Sequence, residues 1–204
     1  MISFEMLGKY KKYLMHVQEN HLDKFFEAQK DFIHCKEGCA ECCKKGEYPI
    51  SELEMAYLMI EFHNLDRDTQ KLIKNKTKEI IKERQETGNR FYECPFLINN
   101  RCSVYKNRPL ICRSHGLLFY VTQNGESRNK IPACSEIGLN YSEVYDAERG
   151  YMDPEKLKQS GIKTEPKAYN ISRDVLISNE GTKDLGLDFG ESKVLIDWFI
   201  QPQD

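Results

Sequence analysis

The sequence has no apolar run that could cross a membrane. Its longest uninterrupted hydrophobic stretch, Met55 to Ile60, falls far short of the roughly 18 residues that a spanning helix needs. The N-terminal residues, which include the acid Glu5, lack the apolar core of a secretory signal peptide. We therefore expect a cytoplasmic protein. The net charge of −2 is small, so we expect neither nucleic acid nor a membrane surface as a partner.

Apolar residues are few throughout the chain. They make up 40% of the 204 residues, against roughly 45–50% in an ordinary globular protein, whereas 30% of the residues are charged. A chain of this length fits one domain, and we expect a single domain over residues 1–204. Because its apolar core is thin, we expect something besides side-chain packing to stabilise the fold.

Common catalytic motifs are also missing. The sequence contains no glycine-rich phosphate loop, no HExxH pair and no serine nucleophile elbow, so nucleotide-dependent and hydrolytic reactions have no support. The sequence leaves open whether the protein is an enzyme, and it identifies no small-molecule substrate.

A helical stripe of apolar residues occupies the N-terminal part of the chain. Its members follow one another at steps of three or four, which predicts one long amphipathic helix over residues 1–34 that ends near Cys35. We expect this stripe to face the core, with His21 packed within it. The members are Leu7, Tyr10, Leu14, Val17, His21, Phe25, Ala28 and Phe32.

Capping signals place two further helices. Ser51 and Glu54 have the spacing of a capping box, which predicts a helix that extends from Ser51 to about His63. Asp66 is the expected N-cap of a third helix, and Gly88 is expected to end it. The third helix is rich in lysine, but no aromatic residues alternate with its charges, so we interpret this basic face as solvated surface rather than a nucleic-acid site.

The rest of the chain is marked by turns. Asn99-Asn100 predicts a tight hairpin, and Asn124-Gly125 is the strongest turn signal in the sequence. After Tyr141 the chain is expected to be loop-like, and the apolar cluster around Trp198 is expected to form a short docking helix. These patterns predict an α+β fold, a small and mostly helical single domain with long loops and short hairpins around a cysteine metal cluster. Its expected parts are an N-terminal helix (1–34), a cysteine-cluster core (35–140) and a C-terminal extension (141–204).

Eight cysteines are the unusual feature of the sequence. In the cytoplasm thiols stay reduced, so a dense set of cysteines indicates metal ligands before disulfides. Four close together and four spread along the chain also suit tetrahedral thiolate sites. We therefore predict that all eight bind metal: Cys35, Cys39, Cys42 and Cys43 in the first group, and Cys94, Cys102, Cys112 and Cys134 in the second.

The spacing leaves the identity of the metal open. Zinc bound by four thiolates would stabilise a thin core, and we place it ahead of iron or an iron–sulfur cluster, which uses the same ligands. Because Cys42 and Cys43 are adjacent, we expect them to serve different sites, or one of them to lie outside the ligand set. Cationic neighbours could offset thiolate charge, although a chain so rich in lysine and arginine places some near any residue; they are Lys44, Lys45, Arg101, Arg108 and Arg113.

Three other interpretations of these residues stay open. Cys112 and His115 have the spacing of a thiol and its base, which would suit a redox or nucleophilic enzyme, although a histidine at such a position is more often a surface residue. Cys35, Cys39 and Cys42 have the spacing of a radical-enzyme cluster, but the chain lacks the repeated strand–helix alternation that such enzymes need. The N-terminal stripe and the Trp198 cluster could instead be an interface for a protein partner.

The ordered cysteine motifs resemble the YkgJ-like cysteine-cluster family over about residues 35–137. The resemblance implies a zinc- or iron-chelating domain in which all eight cysteines have a place. Some relatives of that domain occur in flagellin lysine methylases, which offers a methylase-like enzyme as an alternative, but no methyl-donor site is evident here. The motifs are Cys35-x3-Cys39-x2-Cys42-Cys43, Cys94-Pro95-Phe96-Leu97, Cys102-Ser103-Val104-Tyr105, Arg108-Pro109-x2-Cys112-Arg113 and Cys134.

Overall fold

Helices and short antiparallel strand pairs alternate along the chain, as expected for an α+β domain. The computed structural model describes residues 2–45, 47–146, 148–149 and 151–200, and about half of the chain is helical. The α-helices are α1 (Phe4–Val17), α2 (Asp23–Ala28), α3 (Glu41–Lys44), α4 (Glu52–Asn64), α5 (Arg67–Thr87), α6 (Leu110–Ser114), α7 (Pro154–Ser160), α8 (Arg173–Ile177) and α9 (Glu180–Asp184).

Four two-stranded antiparallel sheets complete the fold, and within the described residues they do not join into a larger sheet. Three of them pair neighbouring strands, whereas β1 pairs with β8 from the far end of the chain. The strands are β1 (Pro49–Ser51), β2 (Leu97–Ile98), β3 (Arg101–Cys102), β4 (Phe119–Gln123), β5 (Glu126–Lys130), β6 (Tyr145–Asp146), β7 (Tyr151–Met152) and β8 (Ser192–Val194).

The N-terminal helix is present but its apolar face shifts partway along. A π-helical turn, Gln18–Leu22, follows α1 and takes up an extra residue, and the helical segment ends in a 3-10 turn at Lys30–Phe32. Because of that residue, Leu22 and Gln29 take the buried positions that the stripe predicts for His21 and Ala28, which are exposed. The expected packing of His21 is therefore wrong.

The stripe before the π-helical turn faces the core. Tyr10 and Leu14 are 0% and 3% exposed, and they pack with Leu53 of α4 and Leu110 of α6 in the largest apolar cluster. The central residues of this stripe are therefore core, covered by the chain itself, and a protein partner stays a prediction.

The capping predictions for α4 and α5 are confirmed. The Ser51 hydroxyl accepts from the Glu54 amide, and the Glu54 carboxylate accepts from the Ser51 amide, which completes the capping box. Asp66 caps α5 by accepting from the Thr69 amide, and Gly88 ends it with φ of 69°. Within the described residues, no helix combines the length and the apolar character that a membrane crossing requires.

Replacing Ser51 with alanine is expected to lower the free energy of unfolding by about 1 kcal/mol, the typical cost of losing an N-cap hydroxyl. Urea unfolding followed by circular dichroism measures it. Ser178→Ala is the matched control, because that side chain is exposed. Equal stability of the two variants would contradict a stabilising role for the cap.

Both asparagine turns are confirmed. Asn99 and Asn100 have φ of 50° and 59° and join β2 to β3, and Asn124 and Gly125, with φ of 54° and 82°, join β4 to β5. Two positive φ values in a two-residue loop match the right-handed twist of the paired strands. The first hairpin carries Cys102 on β3 and places Cys94 just before β2, so local turn chemistry helps to position two candidate ligands.

The C-terminal part of the chain is more ordered than the loop-like prediction. It contains α7, α8 and α9, and the last apolar cluster is a 3-10 turn, Leu195–Phe199, preceded by strand β8. Trp198 does dock, because its indole Nε1 donates to the Ile50 carbonyl oxygen at 3.3 Å. Residues 192–194 pair with residues 49–51 far away in sequence, which a local pattern cannot reveal.

Candidate metal centre

One cavity of about 630 Å³ brings most of the cysteines together. Seven of the eight line it, whereas Cys134 does not. All eight are free thiols in the structure. Soft thiol donors gathered around one space are what zinc, iron and iron–sulfur centres require. The lining cysteines are Cys35, Cys39, Cys42, Cys43, Cys94, Cys102 and Cys112.

Four separate segments supply these thiols. Cys35 and Cys39 lie in a loop that turns at Gly38, where φ is 84° and the Cys39 amide donates to the Lys36 carbonyl oxygen at 2.9 Å. Short helix α3 carries Cys42 and Cys43. The chain then returns through the hairpin and α6, and the Cys94 amide donates to the Cys43 carbonyl oxygen at 2.7 Å, which ties the two halves of the site together.

Cys42, Cys94, Cys102 and Cys112 form one set, here termed the hairpin group. Burial raises the pKa of Cys112 well above its ordinary value, and the charges of the other three members raise it further. Burial raises the pKa of Cys94 to about 12, and the charges of Cys102 and Cys42 add to this. These mutual effects indicate that the four thiols lie near one another and that they are neutral without a metal.

Cys35, Cys39 and Cys134 form a second set, here termed the loop group. Burial and then the charge of Cys35 raise the pKa of Cys134. Burial also raises the pKa of Cys35, and the hydrogen bond from Asn140 opposes this effect. The Asn140 side-chain amide donates to Cys35 Sγ at 3.3 Å. The charge of Cys42 also raises the pKa of Cys35, so Cys42 lies near both groups.

The Sγ atoms of Cys42 and Cys43 lie 4.0 Å apart. Four thiolates at about 2.3 Å from a tetrahedral zinc ion are separated by about 3.8 Å. This separation would allow both thiols to bind one ion, and the expectation that they serve different sites, or that one lies outside the ligand set, stays a prediction.

The thiols line the cavity wall rather than converge on a point. Over the part of the chain that the structure describes, no three histidine, cysteine, aspartate or glutamate side chains are arranged to hold a metal ion as they stand. The donor set nevertheless fits a thiophilic metal, because binding replaces the proton of each thiol and removes the cost of ionising it in a partly buried site.

Cationic side chains lie on the cavity wall. Arg101, Arg108 and Arg113 line it together with Lys36, whereas Lys44 forms an ion pair with Glu41 at 2.7 Å. The Arg108 guanidinium lies 3.8 Å from the centre of the Tyr105 ring, and its buried Nε has no hydrogen-bond partner among the residues that the structure describes. Fixed positive charges here would offset the negative charge of metal-bound thiolates.

His115 lines the same cavity, and its ring contacts Tyr48 edge-on with 4.5 Å between ring centres. Burial and then Arg108 lower the pKa of His115 to about 4. With the pKa of Cys112 raised, the pair lacks the thiolate character of a reactive cysteine, so the thiol–base interpretation is not supported. His34, the other histidine near a cysteine, is within 3.5 Å of Glu143 instead.

Several residues of the site carry no signal in the sequence. The Tyr48 hydroxyl donates to the Cys42 carbonyl oxygen at 2.7 Å, and Tyr92 also lines the cavity. Asn140, which is fully buried, donates to Cys35 Sγ and to the Gly116 carbonyl oxygen. None of them belongs to a spacing motif, since each reaches the thiols through the tertiary fold.

The structure thus combines a small α+β fold with cysteines gathered around one cavity, the donor set of a metal-chelating protein. The CxxCxxCC family model, described as "Putative zinc- or iron-chelating domain", matches residues 34–135, half of the chain, and the chain belongs to this family. The resemblance to a cysteine-cluster family is thus confirmed. No curated protein and no solved structure gives a significant match.

The chain departs from the family's named motif at one point. Three residues separate Cys35 from Cys39 where the family name has two, and the rest of the motif, Cys39-x2-Cys42-Cys43, is kept. The turn at Gly38 takes up the additional residue, and both Cys35 and Cys39 still reach the cavity wall.

Proposed function

We propose that the protein chelates zinc through the thiolates of this cavity and that the metal stabilises the fold. The observation that carries the proposal is the gathering of seven cysteines around one cavity. The four thiols of the hairpin group come from α3, the hairpin and α6, so one ion would join segments that are distant in sequence. A structural zinc site of this kind contributes directly to folding.

The loop group adds three thiols to the proposed site. Cys35 and Cys39 line the cavity, and Cys134 does not, although the charge of Cys35 acts on it. We assign all eight cysteines to metal binding, with the hairpin group as the tighter site because its thiols are held on a helix and a hairpin. A set of eight free thiols also favours the reducing cytoplasm as the location of the protein.

An iron–sulfur cluster is the second candidate, and the spread of the thiols favours it. Seven sulfurs distributed around about 630 Å³, with no three of the described donors converging, suit a group larger than one ion. Such clusters are bound by cysteine thiolates, and hydrogen bonds to their sulfurs tune them.

Metal content and an absorption spectrum, measured on protein purified without oxygen, distinguish the candidates. We expect stoichiometric zinc, no visible band, and loss of cooperative unfolding after a strong chelator removes the ion. Iron with matching sulfide and broad visible absorption would overturn the zinc proposal and support the iron–sulfur candidate. A metal-free chain that folds and fails to bind either metal on reconstitution would overturn the proposed function.

A further inference from the structure

Three polar groups of the cavity wall are buried with no hydrogen-bond partner in the described part of the chain: Nε2 of His115, Nε of Arg108 and the Tyr92 hydroxyl. Of the three, the neutral imidazole nitrogen is the common metal ligand. A buried polar nitrogen without a partner costs about 1–3 kcal/mol, so folded proteins rarely retain one without a reason. Phe26 and Ile50 line the same cavity, so its wall accommodates apolar side chains as well as polar ones. A histidine at this place therefore needs a partner that the described residues do not supply.

The position of His115 brings it to both cysteine groups. It follows α6, three residues after Cys112 of the hairpin group. A Cβ atom placed on the next residue, Gly116, would lie 3.6 Å from Cys35 Sγ of the loop group. The ring also packs on Tyr48, whose hydroxyl binds the backbone of Cys42. Hence the residues adjoining His115 lie close to Cys35 of the loop group and to Cys42 and Cys112 of the hairpin group.

The number of donors on the cavity wall points the same way. Two tetrahedral ions require about eight donors, and mixed sites of three thiolates with one imidazole are common for zinc. Seven thiols line the cavity, so an imidazole on the same wall brings the donors there to eight, and Cys134, which lies near Cys35 but not on the wall, is a further candidate. His115 is the histidine among the lining residues, and it is neutral at pH 7, as a nitrogen ligand must be.

We propose that Nε2 of His115 is a metal ligand, so that at least one ion in the cavity is held by a mixed sulfur–nitrogen set. This inference rests on the proposed function and deepens it, because an imidazole ligand favours a divalent ion such as zinc over an all-thiolate iron–sulfur cluster. The residue is outside the cysteine pattern that defines the family.

Cadmium-113 substitution tests the ligand directly. The chain, labelled with 15N in its five histidines, is loaded with ¹¹³Cd²⁺ in place of zinc and examined by NMR. We expect one histidine nitrogen to be split by coupling to cadmium and the splitting to vanish in His115→Gln. His34→Gln is the matched control and keeps the splitting, because His34 also adjoins a cysteine but contacts Glu143.

Affinity provides a second measurement. His115→Gln is expected to weaken Zn²⁺ binding by more than the roughly 10- to 100-fold that the loss of a ligand's hydrogen-bond partner costs. His115→Cys, which supplies another soft donor, is expected to restore binding and to show that the Gln variant is not simply misfolded. A smaller loss with Gln, or no recovery with Cys, would overturn the assignment.

The outcomes separate the inference from the proposed function. Protein that binds ¹¹³Cd²⁺ stoichiometrically without splitting any histidine nitrogen overturns the role of His115 and leaves thiolate chelation intact. Protein that binds neither Cd²⁺ nor Zn²⁺ overturns the proposed function and the inference with it.

Discussion

Replacing Cys42 with serine is expected to remove most of the bound metal and to lower the thermal stability of the protein. Cys42 borders both cysteine groups, since its charge raises the pKa of Cys35 as well as those of Cys94 and Cys112. A serine hydroxyl is a poor ligand for thiophilic ions. Structural zinc contributes roughly 10–16 kcal/mol of apparent binding free energy in zinc-finger peptides, so the loss should be large.

Cys134→Ser is the matched control, because Cys134 does not line the cavity. Metal per chain is measured by mass spectrometry and stability by calorimetry on the same preparations. We expect Cys134→Ser to keep the metal of the hairpin group. If both variants kept the full metal content of the unaltered protein, Cys42 would not have the central place assigned to it.

Replacing Glu54 with alanine is expected to lower the free energy of unfolding by about 3–5 kcal/mol, the usual cost of removing one partner of a buried ion pair. Glu54 is 1% exposed, and its carboxylate lies 3.6 Å from the Arg173 guanidinium. It also accepts from the amides of Ser51 and, at 3.0 Å, of Leu110. The variant leaves all three groups without this acceptor.

The same carboxylate positions a candidate ligand. Leu110 begins α6, which carries Cys112, so we expect Glu54→Ala to weaken metal binding as well as folding. Glu79→Ala is the control, because Glu79 is exposed on α5 and its loss should change stability by less than about 0.5 kcal/mol. Urea unfolding measures both variants. A similar small effect at Glu54 would show that Arg173 and α6 do not depend on it.

Local chemistry explains which parts of the fold could be predicted. The capping box at Ser51, the caps of α5 and the two asparagine turns each involve residues within about three positions of one another. Their hydrogen bonds and backbone angles depend on neighbouring residues and not on the tertiary structure. The π-helical turn at Gln18–Leu22 had no such local signal, and it moved two predicted buried positions, from His21 to Leu22 and from Ala28 to Gln29.

The sequence by itself determined the family, the α+β class and the cysteine motifs, because these depend on residue types and their spacing. Only the tertiary structure decided how the thiols are grouped. It divides the second sequence group, since Cys94, Cys102 and Cys112 join Cys42 whereas Cys134 lies beside Cys35. It also brought Tyr48, Asn140 and His115 to the thiols. These contacts join segments that are far apart in the chain, and their distances are set by the packing of the whole fold rather than by any local spacing.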